Sequence, residues 1–234
     1  MSTLNGGPGI ITDGLVLYLD AANPYSYVSG STVWNDLSRS QVSGSLINGP
    51  TFNTGSGGNI VFDGVDDYVN CGISIPLLVG AVNITACLWI KFNPEVDPFT
   101  LPIGKYGQGQ SIGWEGFWFN DGRVGFGGRE SSAAYLYTGD SLAVCPPGNN
   151  IYNVVYHKSG SLWAVYVNGV SVKSTSLGLG NVSIYNSSAS LEIGRAESGY
   201  NTSCNIYTTQ VYNRALTPSE ILQNYNTQKS RFGL

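Results

Sequence analysis

The sequence predicts an all-β protein: a sandwich of two antiparallel sheets with one short C-terminal helix. Three observations carry this. Short alternating apolar runs recur between turn residues along most of the 234 residues, the pattern of sandwiches and barrels. Asp121-Gly122 and Asn168-Gly169 sit between aromatic or β-branched runs, where tight hairpin turns belong. TPSEI at 217–221 is a well-specified helix start near the end of a chain that otherwise reads as strand and turn.

Taken in order, residues 1–12 are a Gly/Pro-bearing arm. GLVLYLDAANP (14–24) is a buried strand broken at Asn23-Pro24. Residues 33–52 are turn-rich around one anchor, Trp34, and NIVFDGVDDYVNCG (59–72) gives two short strands about Asp63-Gly64. In NITACLWIKF (83–92), Ile84, Ala86, Leu88 and Ile90 face one way and Cys87 and Trp89 the other. GFWFNDGRVGF (116–126) and SLWAVYVNGVSVKS (161–174) are hairpins whose turn dipeptides take positive φ. SLEIG (190–194) and CNIYTTQVYN (204–213) are late strands. At the end, Thr217 is the N-cap, Pro218 the first helical residue and Glu220 the partner in a capping box. Leu216 and Ile221 complete a hydrophobic staple, and Ile221, Leu222 and Tyr225 form one apolar edge over about two turns. The expected layout is an arm (1–12), one sandwich domain (13–225) and a tail (226–234) with no evident reason of its own to be ordered.

Composition narrows the function. Only 11% of residues are charged, against about a quarter in ordinary globular domains. The surface is therefore built from Ser, Thr, Asn, Gly and Tyr, which suits packing against neighbours or contact with uncharged sugars. The net charge is −4 and the basic residues are scattered, so no footprint for nucleic acid or an anionic membrane is present. The longest apolar run, ISIPLLVGAV (73–82), is too short to insert into a bilayer. The N-terminus has neither a basic start nor an apolar core, so no standard secretory signal is expected. For that reason the sequons at Asn83, Asn181, Asn186 and Asn201 are not read as glycosylation sites. Cys71, Cys87, Cys145 and Cys204 form no metal or redox spacing. They read first as buried thiols and second as disulfides, with three pairings open.

GLVLYLDA, VFDGVDDYV, ITACLWIKF, LWAVYVNGVSV, LEIG and VYNRALTPSEI, in that order, resemble the laminin-G-like branch of the concanavalin A-like lectin/glucanase superfamily over about residues 14–225. The resemblance implies a jelly roll. The ending NIYTTQVYNRALTPSEILQNYNTQKSRFGL further resembles laminin-G-like structural proteins of large tailed bacteriophages.

Chemistry is sparse. Glycoside hydrolysis needs two carboxylates flanking the scissile bond. The family's glucanases carry them as Glu-x-Asp-x-x-Glu on one strand, and none of Glu95, Glu115, Glu130, Glu192, Glu197 and Glu220 stands in that pattern. His157, the only histidine, reads as a solvated residue at a strand end. Asp63, Asp66 and Asp67 are weak calcium candidates, since calcium takes six to eight oxygens. The family's acidic residue in the last strand is replaced here by Tyr207. No other cofactor is expected. For glycan binding the candidates are Trp114, Trp118, Tyr135 and Tyr137; Trp89 and Trp163 read as core. Trp118 alternates with Phe117 and Phe119, so one of those sets must be buried.

The expectation is a non-enzymatic structural protein of a tailed-phage virion, assembled in the host cytoplasm and exposed on the particle's outer surface. Capsid decoration is the first placement and tail or fibre the second. As a multicopy component or homo-oligomer it would meet other virion proteins through the arm and tail, and host glycans through its aromatics. The alternative is a lectin-like adhesin on tail or fibre, and the third reading is a glycoside hydrolase.

Overall fold

A computed structural model describes residues 9–72, 82–94, 97–106, 113–129, 135–177, 188–196 and 199–234. The alternation that predicts the strands also sorts their side chains. Along β7 (Ile84–Phe92), Ile84, Ala86, Leu88 and Ile90 enter the space between two sheets, while Cys87 joins a second cluster on the opposite side.

The first sheet has the order β14-β13-β12-β7-β16-β5-β4, with β1 also paired to β16. Its strands are β1 (Leu15–Asp20), β4 (Thr51–Asn53), β5 (Asn59–Asp63), β7, β12 (Tyr152–Ser159), β13 (Leu162–Val167), β14 (Val170–Ser176) and β16 (Ser203–Tyr212). The second sheet runs β11-β10-β9-β8-β15-β6-β3-β2. Its strands are β2 (Val33–Trp34), β3 (Gly44–Ile47), β6 (Tyr68–Asn70), β8 (Phe99–Lys105), β9 (Gly113–Phe119), β10 (Val124–Arg129), β11 (Leu136–Tyr137) and β15 (Glu192–Ile193). The described pairings are antiparallel. The result is a two-sheet sandwich of jelly-roll type. Between the sheets pack Trp34, Phe62, Phe92, Phe126, Tyr156 and Trp163, among others.

The hairpins differ from one another. At Asn168-Gly169 both residues have positive φ (51° and 80°), as a two-residue turn requires. At Asp121-Gly122 only the glycine does (89°). Gly122 N–H closes a turn on the Phe119 carbonyl at 2.7 Å, so this loop is a three-residue turn ending in a left-handed glycine. The four cysteines are buried and none is disulfide-bonded. Burial raises the Cys71 thiol to about 12.

The C-terminal helix α1 (Pro218–Gln228) carries the capping box in both directions. Glu220 N–H donates to Thr217 Oγ1 at 3.3 Å, and Thr217 N–H to Glu220 Oε2 at 2.8 Å. Arg214 adds two bonds to the Glu220 carboxylate, at 2.6 and 2.9 Å. The helix runs 11 residues and continues as a 3-10 turn, Lys229–Phe232, so the expected boundary at 225 falls inside it.

Nor is the tail without a seat. Trp89, read as core, is buried (1% exposed), and its burial is on the outer side of the first sheet beneath this segment. Its indole donates to Gln228 Oε1 at 2.8 Å and stacks on Phe232, with centroids 4.3 Å apart. Arg231 bonds Asp20 Oδ1, the Ser56 carbonyl and the Gly58 carbonyl. Of the arm, residues 1–8 lie outside the described set, and 9–12 run against the helix. Gln223 donates to the Gly9 carbonyl at 2.8 Å, and Ile11 N–H to Asn224 Oδ1 at 2.8 Å.

Candidate functional site

β9 decides which aromatics are available. Trp114, Gly116 and Trp118 point between the sheets, where Gly116 leaves room for the Tyr156 ring. Glu115, Phe117 and Phe119 take the opposite, outer side by the period-two rule. The glycan candidates Trp114 and Trp118 are therefore corrected. Both are 0% exposed, and Trp118 stacks on Phe92 at 4.5 Å while its indole donates to the Cys145 carbonyl. Larger rings bury more apolar area, and the core took the tryptophans.

The outer side of β10 has glycines where side chains would stand. Tyr137 lies over Gly125 and Tyr135 over Gly127: a Cβ at either glycine would come within 2.4 Å of a tyrosine oxygen. From Tyr137 the rings continue without a break. Phe117 meets Tyr137 at 5.0 Å and Tyr135 at 6.4 Å, and Tyr135 meets Tyr106 at 5.7 Å. On the other side Phe99 contacts Phe117 at 6.0 Å, Phe119 at 5.9 Å and Tyr200 at 5.1 Å. All seven are partly exposed. Two of them, Tyr135 and Tyr137, were legible as candidates; Phe99, Tyr106, Phe117, Phe119 and Tyr200 were not. The signal available for them was Val-Gly-Phe-Gly at 124–127, which leaves one face of β10 bare.

Polar groups order this surface. Tyr135 hydroxyl donates to Glu115 Oε1 at 2.8 Å, and Tyr137 hydroxyl to Asp140 Oδ1. Burial, then the adjacent carboxylates, hold both phenols above their ordinary range, so both stay protonated donors. Arg123 lies over the Phe119 ring at 4.6 Å and pairs with Asp121 at 2.7 Å and with Asp140.

Glu192 shares the face with Glu115. The register Glu192–Gly104–Glu115 places them two strands apart, about 10 Å by strand spacing. The space between is filled, because a Cβ at Gly104 would sit 2.5 Å from the Ala196 side chain. Arg195 holds Glu192 at 2.8 and 3.3 Å while stacking on Tyr68. Glu115 is 5% exposed beneath Tyr135. Glu95, Glu130 and Glu197 lie outside the described residues. Beyond Glu192 a shallow cleft of ≈ 330 Å³, lined by Ser43, Ser45 and Asn70 among others, continues across β3 and β6.

Asp63, Asp66 and Asp67 do come together, with one oxygen of each within 4.8 Å of the others. Their loop does not fit a calcium shell. Asp63 Oδ1 accepts Val65 and Asp66 N–H, and Asp67 Oδ2 accepts Asp63 N–H. The Val65 and Asp66 carbonyls are taken by the amides of Asn201 and Asn48. Three carboxylates partly spent on the turn fall short of six to eight oxygens.

His157 is also corrected. It is 4% exposed, on the outer side of the first sheet, with Nε2 3.0 Å from the Leu216 carbonyl. Burial lowers its pKa.

A sequence model of the concanavalin A-like lectin/glucanases superfamily, of laminin-G type, matches residues 63–222. The chain belongs to this superfamily. No curated protein matches the sequence. Among solved structures, Trypanosoma rangeli sialidase in complex with sialic acid superposes with a TM-score of 0.65 at 18% identity, over 96% of this chain and 35% of the sialidase. The binding domain of Paraclostridial Mosquitocidal Protein 1 does so with a TM-score of 0.67 at 14% identity, over 92% of this chain and 52% of that one. The chain thus spans between a third and about half the length of these structures, and at such identities the likeness is one of fold.

Proposed function

We propose that the chain is a non-enzymatic binding module that meets carbohydrate through the aromatic outer face of the second sheet, carried in many copies on the outer surface of a tailed-phage virion. The contiguous run of seven rings carries the carbohydrate part. A sugar ring offers C–H groups from its face and hydroxyls from its rim. Aromatic faces match the first, and polar groups such as Tyr135 and Tyr137 match the second. Membership in a superfamily of lectins and glucanases supports this reading. A binding role is favoured over hydrolysis because Glu115 and Glu192 are each spent on a structural partner, with the space between them filled.

The particle setting is supported by the likeness of the C-terminal segment to phage structural proteins and by the low surface charge. Capsid decoration is the first placement. On tail or fibre the same face would serve as an adhesin for host surface carbohydrate. The arm and the exposed Gly233–Leu234 end are the attachments to neighbouring virion proteins.

A glycan array probed with the purified chain and with Phe117→Ala tests the binding role. Binding lost in the variant is expected; no binding by a folded wild-type chain would sink it. Immunogold labelling of intact particles tests the setting, and deletion of residues 1–8, which spares the Ile11 contacts, is expected to abolish incorporation. Full incorporation of that truncation would remove the arm's role.

A further inference from the structure

We infer that the aromatic face selects neutral sugars and rejects those bearing a carboxylate; this rests on reading that face as the carbohydrate surface. The argument begins with Arg123, the cation that lies over Phe119 in this patch. A carboxylate ligand would need its forked N–H edge. Each fork of the guanidinium already has one member engaged, Nε by Asp121 at 2.7 Å and Nη1 by Asp140, so neither fork is open to a bidentate carboxylate. One arginine between two aspartates leaves the trio at −1, so an incoming carboxylate meets like charge. Arg129, at the far end of β10, is engaged as well.

The hydroxyls point to the same choice. Tyr135 gives its proton to Glu115 and Tyr137 gives its proton to Asp140. Each phenol oxygen therefore offers lone pairs, not a hydrogen, to a ligand. Sugar hydroxyls can donate to such acceptors and a carboxylate cannot. The ring faces, negative at their centres, attract C–H groups and repel anions. Discrimination thus comes from a built-in repulsive element as well as from attraction.

The test is an array of matched pairs, each a neutral oligosaccharide and the same oligosaccharide capped with sialic acid or oxidised to a uronate. The neutral members are expected to bind, with their acidic partners at least about tenfold weaker. Asp121→Asn, at an exposed turn where the amide oxygen keeps the main-chain bond, is expected to narrow that gap, as is Asp140→Asn. Acidic members binding as tightly as neutral ones, in a manner lost with Phe117→Ala, would overturn the selectivity and leave the carbohydrate reading standing. A gap unchanged in both Asn variants would also overturn it. If no glycan binds and Phe117→Ala instead abolishes self-association, the face is an interface between copies, and the carbohydrate reading falls with the selectivity.

Discussion

The Asn224 amide donates to the Tyr212 hydroxyl at 2.9 Å, and that hydroxyl donates in turn to the Ile11 carbonyl at 3.0 Å. Ile11 N–H returns to Asn224 Oδ1 at 2.8 Å, closing a ring that joins the arm, the last strand and the helix. Asn224 is 3% exposed. Asn224→Leu leaves the Ile11 N–H without its acceptor and is expected to cost about 2–3 kcal/mol in urea unfolding. Faster amide exchange at residues 9–12 should accompany it. A loss below about 0.5 kcal/mol would show the ring to be incidental.

Removing residues 229–234 strips Phe232 from the Trp89 ring and leaves it Tyr225 and the Gln228 bond. The truncated chain should show red-shifted tryptophan emission and a loss of about 1.5–3 kcal/mol, the range for the burial of one large apolar side chain such as Phe232. Phe232→Ala alone should reproduce much of the shift. Unchanged emission in both would mean that the indole is not held by this segment.

Gly127→Ala places a methyl group where the Tyr135 ring lies. The fold should survive, because the collision is on the outer face, while glycan binding drops by about tenfold if ring placement matters at hot-spot scale. Far-ultraviolet circular dichroism separates the two effects. Retained binding would remove Tyr135 from the surface.

Acid should act in two windows. His157 is buried with its pKa depressed, so the folded chain disfavours the cation. Its contribution is complete above about 6.5, the unfolded value, and is lost as pH falls below it. Glu220 is held down to about 2, from 4.5, chiefly by its hydrogen bonds to Arg214. Its contribution is present above 4.5 and is lost as pH falls toward 2. His157→Gln should flatten the upper window only, as read by melting temperature against pH.

Millimolar calcium should leave the melting temperature unchanged within about 1 °C, since a ligand stabilises only what binds it. A clear upward shift, abolished by Asp66→Asn, would restore the Asp63–Asp66–Asp67 loop as a metal site.

Much of the fold was legible because it is local. The alternation of β7, the Asn168-Gly169 turn and the Thr217–Glu220 box each need only neighbours in sequence. The aromatic face was half legible. In β9 both alternating sets are aromatic, Trp114 and Trp118 against Phe117 and Phe119, so periodicity gives two classes without saying which is buried. Volume and the bare face of β10 decide it. Contacts made at long range could not be read at all. Trp89 meets Phe232 and His157 meets Leu216 only because α1 folds back across the first sheet, and no local pattern at 89 or 157 marks a partner so distant.

Arg231 ties the last turn of the chain to Asp20 in the first strand, while Gln223 and Asn224 hold residues 9–11 beside it. Residues 9–11 and the last turn therefore rest on one broad side of the molecule, and the rings of Phe117, Tyr135 and Tyr137 occupy the opposite side. This gives the domain a front and a back. Anything that grips it on the side where residue 9 and the C-terminal turn lie, whether a fusion partner, a bead or a larger assembly, leaves the ring-bearing side turned outward.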